Sequence, residues 1–132
     1  MSEIVLGIES TAHTAGVGII DSEGKILSNQ RSMHIPEEGG IHPREAARHH
    51  SDKFPILFEK AFEEANLTPS DINLVSYARG PGLGPCLRTG ATAARAFAYT
   101  HDIPLIGVNH CVAHLEIGLL EGATDPVLLY LS

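Results

Sequence analysis

The run Glu3-Ile4-Val5-Leu6-Gly7-Ile8-Glu9 and, after a short hydroxyl-bearing turn, Gly16-Val17-Gly18-Ile19-Ile20-Asp21 decide the fold class. The first is short, mostly apolar and β-branched, the composition of a largely buried strand. Ser10 to Ala15 supply small polar turn residues, and the second run reads as a strand returning beside the first. Ser22-Glu23-Gly24 follows as a hairpin turn, its glycine free to adopt positive φ. Lys25 to Met33, with Ile26 and Leu27 apolar, predicts a third strand. Three strands in succession with tight turns predict an antiparallel meander.

Beyond the meander the periodicity changes. Ile35 to Ile41 holds a proline and the Gly39-Gly40 pair and reads as a mobile loop. Pro43 suits the first turn of a helix, where a missing N–H costs nothing. Ala47, Phe54, Leu57, Phe58, Ala61, Phe62 and Ala65 recur at helical spacing, and Pro55 is expected to kink or split that helix. Ile72 to Ala78 predicts a fourth strand, Leu87 to Tyr99 a helix rich in small residues, Leu105 to Val108 a brief fifth strand. Cys111 to Leu120 predicts a third helix stopped at Gly122, and Pro126 to Ser132 a last strand. The expected fold is α/β: a mixed sheet, with an antiparallel three-strand meander followed by β-α repeats that add parallel strands.

The chain has 132 residues, the size of one domain, with 43% hydrophobic and 19% charged residues. That is enough for a packed core and too apolar for a disordered tail. Nine Lys and Arg against 16 Asp and Glu give a net charge of -7, which argues against a stand-alone nucleic-acid or anionic-membrane binder. No apolar run reaches the roughly 18 residues of a membrane helix. The opening Met1-Ser2-Glu3-Ile4 lacks a secretory pattern, and Cys86 and Cys111 make no disulfide framework. The expectation is a cytoplasmic protein with no membrane partner.

Three stretches hold chemistry. In Gly7-Ile8-Glu9-Ser10-Thr11-Ala12-His13, backbone N–H groups and hydroxyls at a tight hairpin can cradle a phosphate. A hydroxyl-rich turn that satisfies its own backbone is the blander account, and local sequence alone favours it. Arg79-Gly80-Pro81-Gly82-Leu83-Gly84-Pro85-Cys86-Leu87-Arg88-Thr89-Gly90 joins strand to helix, where phosphates bind, yet matches neither the dinucleotide fingerprint nor a Walker loop. Taken alone it is a sharp loop in which glycines give freedom and prolines stiffness.

The third stretch is Asn109-His110-Cys111-Val112-Ala113-His114. Histidines four apart share a helical face and can hold one metal ion. Eight histidines in this length give roughly 0.5 such pairs by chance, so spacing alone decides nothing. A zincin protease is disfavoured, because the glutamate it needs after the first histidine is Cys111. His49-His50 and Arg44/Arg48 read as a solvated helix face. His13, His34, His42 and His101 look isolated, and Arg79, Arg88 and Arg95 read as ordinary surface charge.

Taken together, four segments resemble the universal tRNA threonylcarbamoyladenosine transferases in their archaeal/eukaryotic form, once labelled O-sialoglycoprotein endopeptidases. They are Gly7 to Thr14, His42-Pro43-Arg44-Glu45-Ala46-Ala47, Arg79 to Gly90, and Val108 through His114. The resemblance implies one lobe of the actin/sugar-kinase/heat-shock-chaperone (RNase H-like) fold, with residues 1–132 as the N-terminal lobe of a two-lobe enzyme whose second lobe is absent from this chain.

It further implies transfer of a threonylcarbamoyl group from threonylcarbamoyl-adenylate to N6 of the adenosine beside the tRNA anticodon. Ser10 and Thr11 would face the adenylate phosphate, with Tyr130, Leu131 and Ser132 also at the substrate. His110, His114 and Tyr130 would hold one divalent metal ion, iron or zinc. No catalytic general base is identified. The long helix from Pro43 and the small-residue helix near Gly90 would dock a small dimerising subunit, with a kinase-like subunit elsewhere and tRNA bound mostly through the full complex. By itself the fragment is expected to be inactive, because a cleft needs two walls. The rival readings are a catalytically silent scaffold paralogue, which would lack the histidine pair, and a sugar- or acetate-kinase-like phosphotransferase, for which Glu9 is the nearest acidic candidate.

Overall fold

The computed structural model describes residues 2–129. Five strands form one mixed sheet: β1 (Ile4–Glu9), β2 (Thr14–Asp21), β3 (Ile26–Met33), β4 (Leu74–Gly80) and β5 (Leu105–Asn109), in the order β3-β2-β1-β4-β5. β1–β2 and β2–β3 pair antiparallel, whereas β1–β4 and β4–β5 pair parallel. The meander and the parallel extension both follow the sequence pattern. A parallel neighbour needs a crossover, and α1 (Pro43–Ala65) and α2 (Gly84–His101) supply the two crossovers.

Alternation along the strands sends Leu6, Ile8, Ala15, Val17, Ile19 and Val75 into the core beneath α1 and α2. α1 answers with Ala46, His50, Phe54, Leu57 and Ala61, and α2 with Cys86, Gly90, Ala94 and Ala98, one small residue per turn. That small-residue stripe lets α2 lie close on the sheet. All four phenylalanines sit in the seam between the two helices, with Phe97 stacked on Phe58 and Phe62 at centroid distances of 5.4 and 5.8 Å. α3 (His110–Leu120) flanks the other face of the sheet, and its Leu120 reaches Gly24 in the β2–β3 turn.

Three expectations need correction. Pro55 does not split α1, which is a single helix through it. The proline removes one backbone donor, but Phe54 and Leu57 are buried on either side of it and outweigh that loss. His49-His50 is not a solvated face: His50 is fully buried and His49 partly so. Finally, residues 126–129 form no strand, and the rest of that predicted strand, with Tyr130, Leu131 and Ser132, lies outside the described residues. Among the described residues no helix is long and apolar enough to cross a membrane.

Candidate functional site

Because β1, β4 and β5 run parallel, their C-terminal ends share one rim of the sheet. Here the β1–β2 turn, the glycine-proline loop and the start of α3 converge. The turn is held from several sides. Glu9 Oε1 accepts from the Thr11 amide at 2.6 Å, and the Thr11 carbonyl accepts from the Leu83 amide at 2.8 Å. Ser10 and Thr11 are both buried, and the Ser10 hydroxyl donates to the Cys86 carbonyl at 2.7 Å. The Ser10 hydroxyl is thus engaged inside the protein, while His13 is exposed and the Glu9 side chain is partly so.

One glycine of the loop, Gly82, is set by proximity to that turn. A Cβ on Gly82 would stand 2.6 Å from the Thr11 carbonyl oxygen and 2.9 Å from its Cβ. The sequence showed a stiff, sharp loop. What it could not show is that the loop is pressed onto Thr11, a contact between residues about seventy positions apart.

α3 begins at its cap. The Asn109 side chain accepts from the Cys111 and Val112 amides at 2.9 and 3.1 Å, satisfying donors that a helix start leaves unpaired. With the first turn so fixed, His110 and His114 stack edge to face at 4.5 Å, and their Nε2 atoms lie 3.2 Å apart. Two imidazoles on a tetrahedral ion, with bonds of 2.0–2.1 Å, hold their nitrogens about 3.3 Å apart. The separation matches that of two ligands on one cation, and in this structure it is also that of a hydrogen bond between the two rings. Among the described residues no third His, Cys, Asp or Glu completes a cage. Tyr130, the third expected ligand, lies outside them.

Glu9 stands 3.9 Å from His110 Nδ1 and links the turn to this pair. Burial lowers the pKa of His110, Glu9 opposes that shift, and His114 adds to it. A neutral ring is the form that binds a metal. Cys86 is buried against the turn and burial raises its thiol pKa, so it is a packing residue rather than a nucleophile.

A family profile described as tRNA N6-adenosine threonylcarbamoyltransferase matches residues 24–132. The chain belongs to that family. It is 54% identical over 129 residues to the tRNA N6-adenosine threonylcarbamoyltransferase of Ignicoccus hospitalis, covering 97% of this chain and 39% of that one. It is 55% identical over 130 residues to a probable bifunctional tRNA threonylcarbamoyladenosine biosynthesis protein of Methanothermobacter thermautotrophicus, covering 98% and 24%. The chain thus spans about two-fifths of the length of its family relative.

Among solved structures, YeaZ from Pseudomonas aeruginosa superposes with a TM-score of 0.71 at 15% identity, covering 91% of this chain and 49% of that one. The RuvC of Thermus thermophilus, solved with a Holliday junction substrate, superposes at 0.55 and 14% identity, covering 89% and 75%. Both likenesses establish the RNase H-like α/β fold of this family member.

Sequence reading named the histidine pair and the turn. It gave no role to Asn109, although an asparagine directly before a helical run is a cap signal. It also missed His50, whose Nε2 lies 2.6 Å from the Ala12 carbonyl in the same turn.

Proposed function

We propose that this chain is the N-terminal lobe of a two-lobe transferase that moves a threonylcarbamoyl group from threonylcarbamoyl-adenylate to N6 of the adenosine adjacent to the tRNA anticodon. The observation that carries the reading is the 3.2 Å approach of the His110 and His114 Nε2 atoms at the sheet rim. The reaction joins the exocyclic amine to the carbamoyl carbon and breaks that carbon's bond to the phosphate oxygen, so that AMP leaves and the amine gives up a proton.

His110 and His114 would hold the divalent ion, iron or zinc, and Tyr130 would be the third ligand that the family resemblance implies. When bound, the cation supplies Lewis-acid charge withdrawal and a template beside the mixed anhydride. The β1–β2 turn offers backbone amides to the adenylate phosphate, with Ser10 and Thr11 shaping that turn from within. Tyr130, Leu131 and Ser132 are assigned to substrate contact by the family resemblance alone. A second lobe forms the opposite wall of the cleft, so this lobe alone transfers nothing.

Partner contacts follow the fold. A groove of about 600 Å³ runs along the outer seam of α1 and α2, lined by Phe54, Pro55, Phe58 and Phe97 with Arg88 and Thr92. Its apolar floor and polar rim suit a small dimerising subunit. A kinase-like subunit binds elsewhere, and the net charge of -7 fits a protein that leaves most tRNA contact to its complex. The bifunctional naming of one relative supports a second protein activity working beside this one.

The test is the metal content and transfer activity of a full-length protein against His110→Ala and His114→Ala. Loss of metal and of transfer in both variants is expected; equal metal in all three proteins removes the site.

A further inference from the structure

The β1–β2 turn is braced from behind by hydrogen bonds that pass through two adjacent histidines of α1. His50 is fully buried, at a position of the α1 stripe where hydrocarbon is the rule. Its Nε2 lies 2.6 Å from the Ala12 carbonyl, which can only accept, so Nε2 carries the proton. In the neutral ring Nδ1 then accepts, and His49 Nδ1 at 2.9 Å donates to it. That leaves His49 Nε2 as an acceptor, served by the Ser32 hydroxyl at 3.1 Å. One arrangement of three protons satisfies the whole route from Ser32 through His49 and His50 to Ala12. The reverse arrangement needs a charged ring at a fully buried site, and burial lowers the pKa of both histidines.

The route ends on a peptide plane. In a trans peptide the N–H points opposite to the C=O, so fixing the Ala12 carbonyl toward α1 fixes the His13 amide away from it, on the outer side of the turn. We infer that His50 is a positioning residue: through the Ala12–His13 peptide it aims the His13 N–H at the phosphate of the adenylate, with His49 and Ser32 holding its tautomer. The ligand in this statement rests on the function proposed above.

The experiment uses a full-length transferase containing this lobe, with AMP as the binding probe and threonylcarbamoyl-adenylate as donor. His50→Gln keeps an N–H three bonds from Cβ, where Nε2 stands; His50→Asn withdraws it by one bond, and His50→Phe abolishes it. The Asn and Phe variants are expected to raise KM for the adenylate and weaken AMP binding about tenfold, the scale of one misplaced hydrogen bond. Their kcat is expected to stay within about threefold, as for lost ground-state binding, with metal content unchanged and the Gln variant close to the parent.

Equal AMP affinity in all four proteins overturns the inference, as does a Gln variant no better than Phe, which would make the role one of packing. If the Asn and Phe variants do not fold, ¹⁵N spectra of the parent's histidines decide. His50 protonated at Nε2 and His49 at Nδ1 are expected; the opposite tautomer at His50 overturns the brace. A parent that binds no AMP and transfers nothing defeats the proposed function instead, and the tautomers still test the brace separately.

Discussion

Ser10 and Gly90 meet with no space between them: a Cβ built on Gly90 collides with the Ser10 hydroxyl, which is donating to the Cys86 carbonyl at 2.7 Å. Alanine at 90 favours the helix by about 1 kcal/mol. Against this, the hydroxyl must turn away and lose its partner, and overpacking of this kind costs about 1–3 kcal/mol, as does a buried hydroxyl without a bond. Gly90→Ala is therefore expected to lower the unfolding temperature. In a Ser10→Ala background the same substitution is expected to be neutral or stabilising, because the clashing hydroxyl is gone and the remaining Cβ, 3.5 Å away, makes an ordinary contact. Thermal unfolding of the four proteins of this cycle reads the reversal of sign directly.

Asn109 holds the start of a helix that has no fully buried residue of its own. Asn109→Ala is expected to cost about 1 kcal/mol, and Asn109→Asp or Ser much less, since each keeps an acceptor for the cap. Fraying of the first turn also separates His110 from His114. Competition against a chelator is expected to show weaker metal retention in the alanine variant and near-parental retention in the aspartate one.

Acid is expected to destabilise the lobe through His50 and His49. Burial holds both below the ordinary histidine value of 6.5 in the folded protein. Between the lowered values and 6.5 the unfolded chain binds more protons, so stability rises with pH across that window. The contribution is complete above about pH 6.5 and is lost as pH falls through the folded values. Unfolding temperatures at about pH 7.5 and about pH 5.5 should show the fall, and His50→Gln, which cannot titrate, should make it shallower.

Ala96 is exposed on the rim of the α1–α2 groove. Ala96→Arg fills the groove from outside the core, so its effect on stability should stay within about 0.5 kcal/mol. Binding of the small dimerising subunit, followed by gel filtration of the mixed proteins, is expected to be lost. An unchanged complex would move the docking surface elsewhere.

The architecture was readable because each strand carried its own signal: a short apolar, β-branched run in β1, a Gly-containing turn before β3, and helical spacing or a small-residue helix between β3, β4 and β5. Errors gathered where long-range packing overrides local pattern. Pro55 looks like a break in isolation, yet buried neighbours keep α1 whole. The stripe read from sequence began at Ala47 and jumped to Phe54. Counting back from Phe54 in steps of four gives His50 and Ala46, the residues that face the core. A histidine doublet masked that periodicity, since its chemistry suggests water. The histidine pair was visible as spacing, but its 3.2 Å approach is set beside the Asn109 cap and Glu9, which the fold brings from a hundred residues away.

The parallel arrangement of β1, β4 and β5 has a bearing on how such a protein can change over generations. Turn, loop and helix start all hang from one edge of the sheet, and Ser10, Thr11 and the Ala12 carbonyl tie the turn inward, so exposed positions beside those anchors can be rewritten with little effect on the interior. Diversity of chemistry on a constant framework is then the natural outcome, and an engineer seeking a new specificity should graft at the exposed positions of that edge and leave the helices alone.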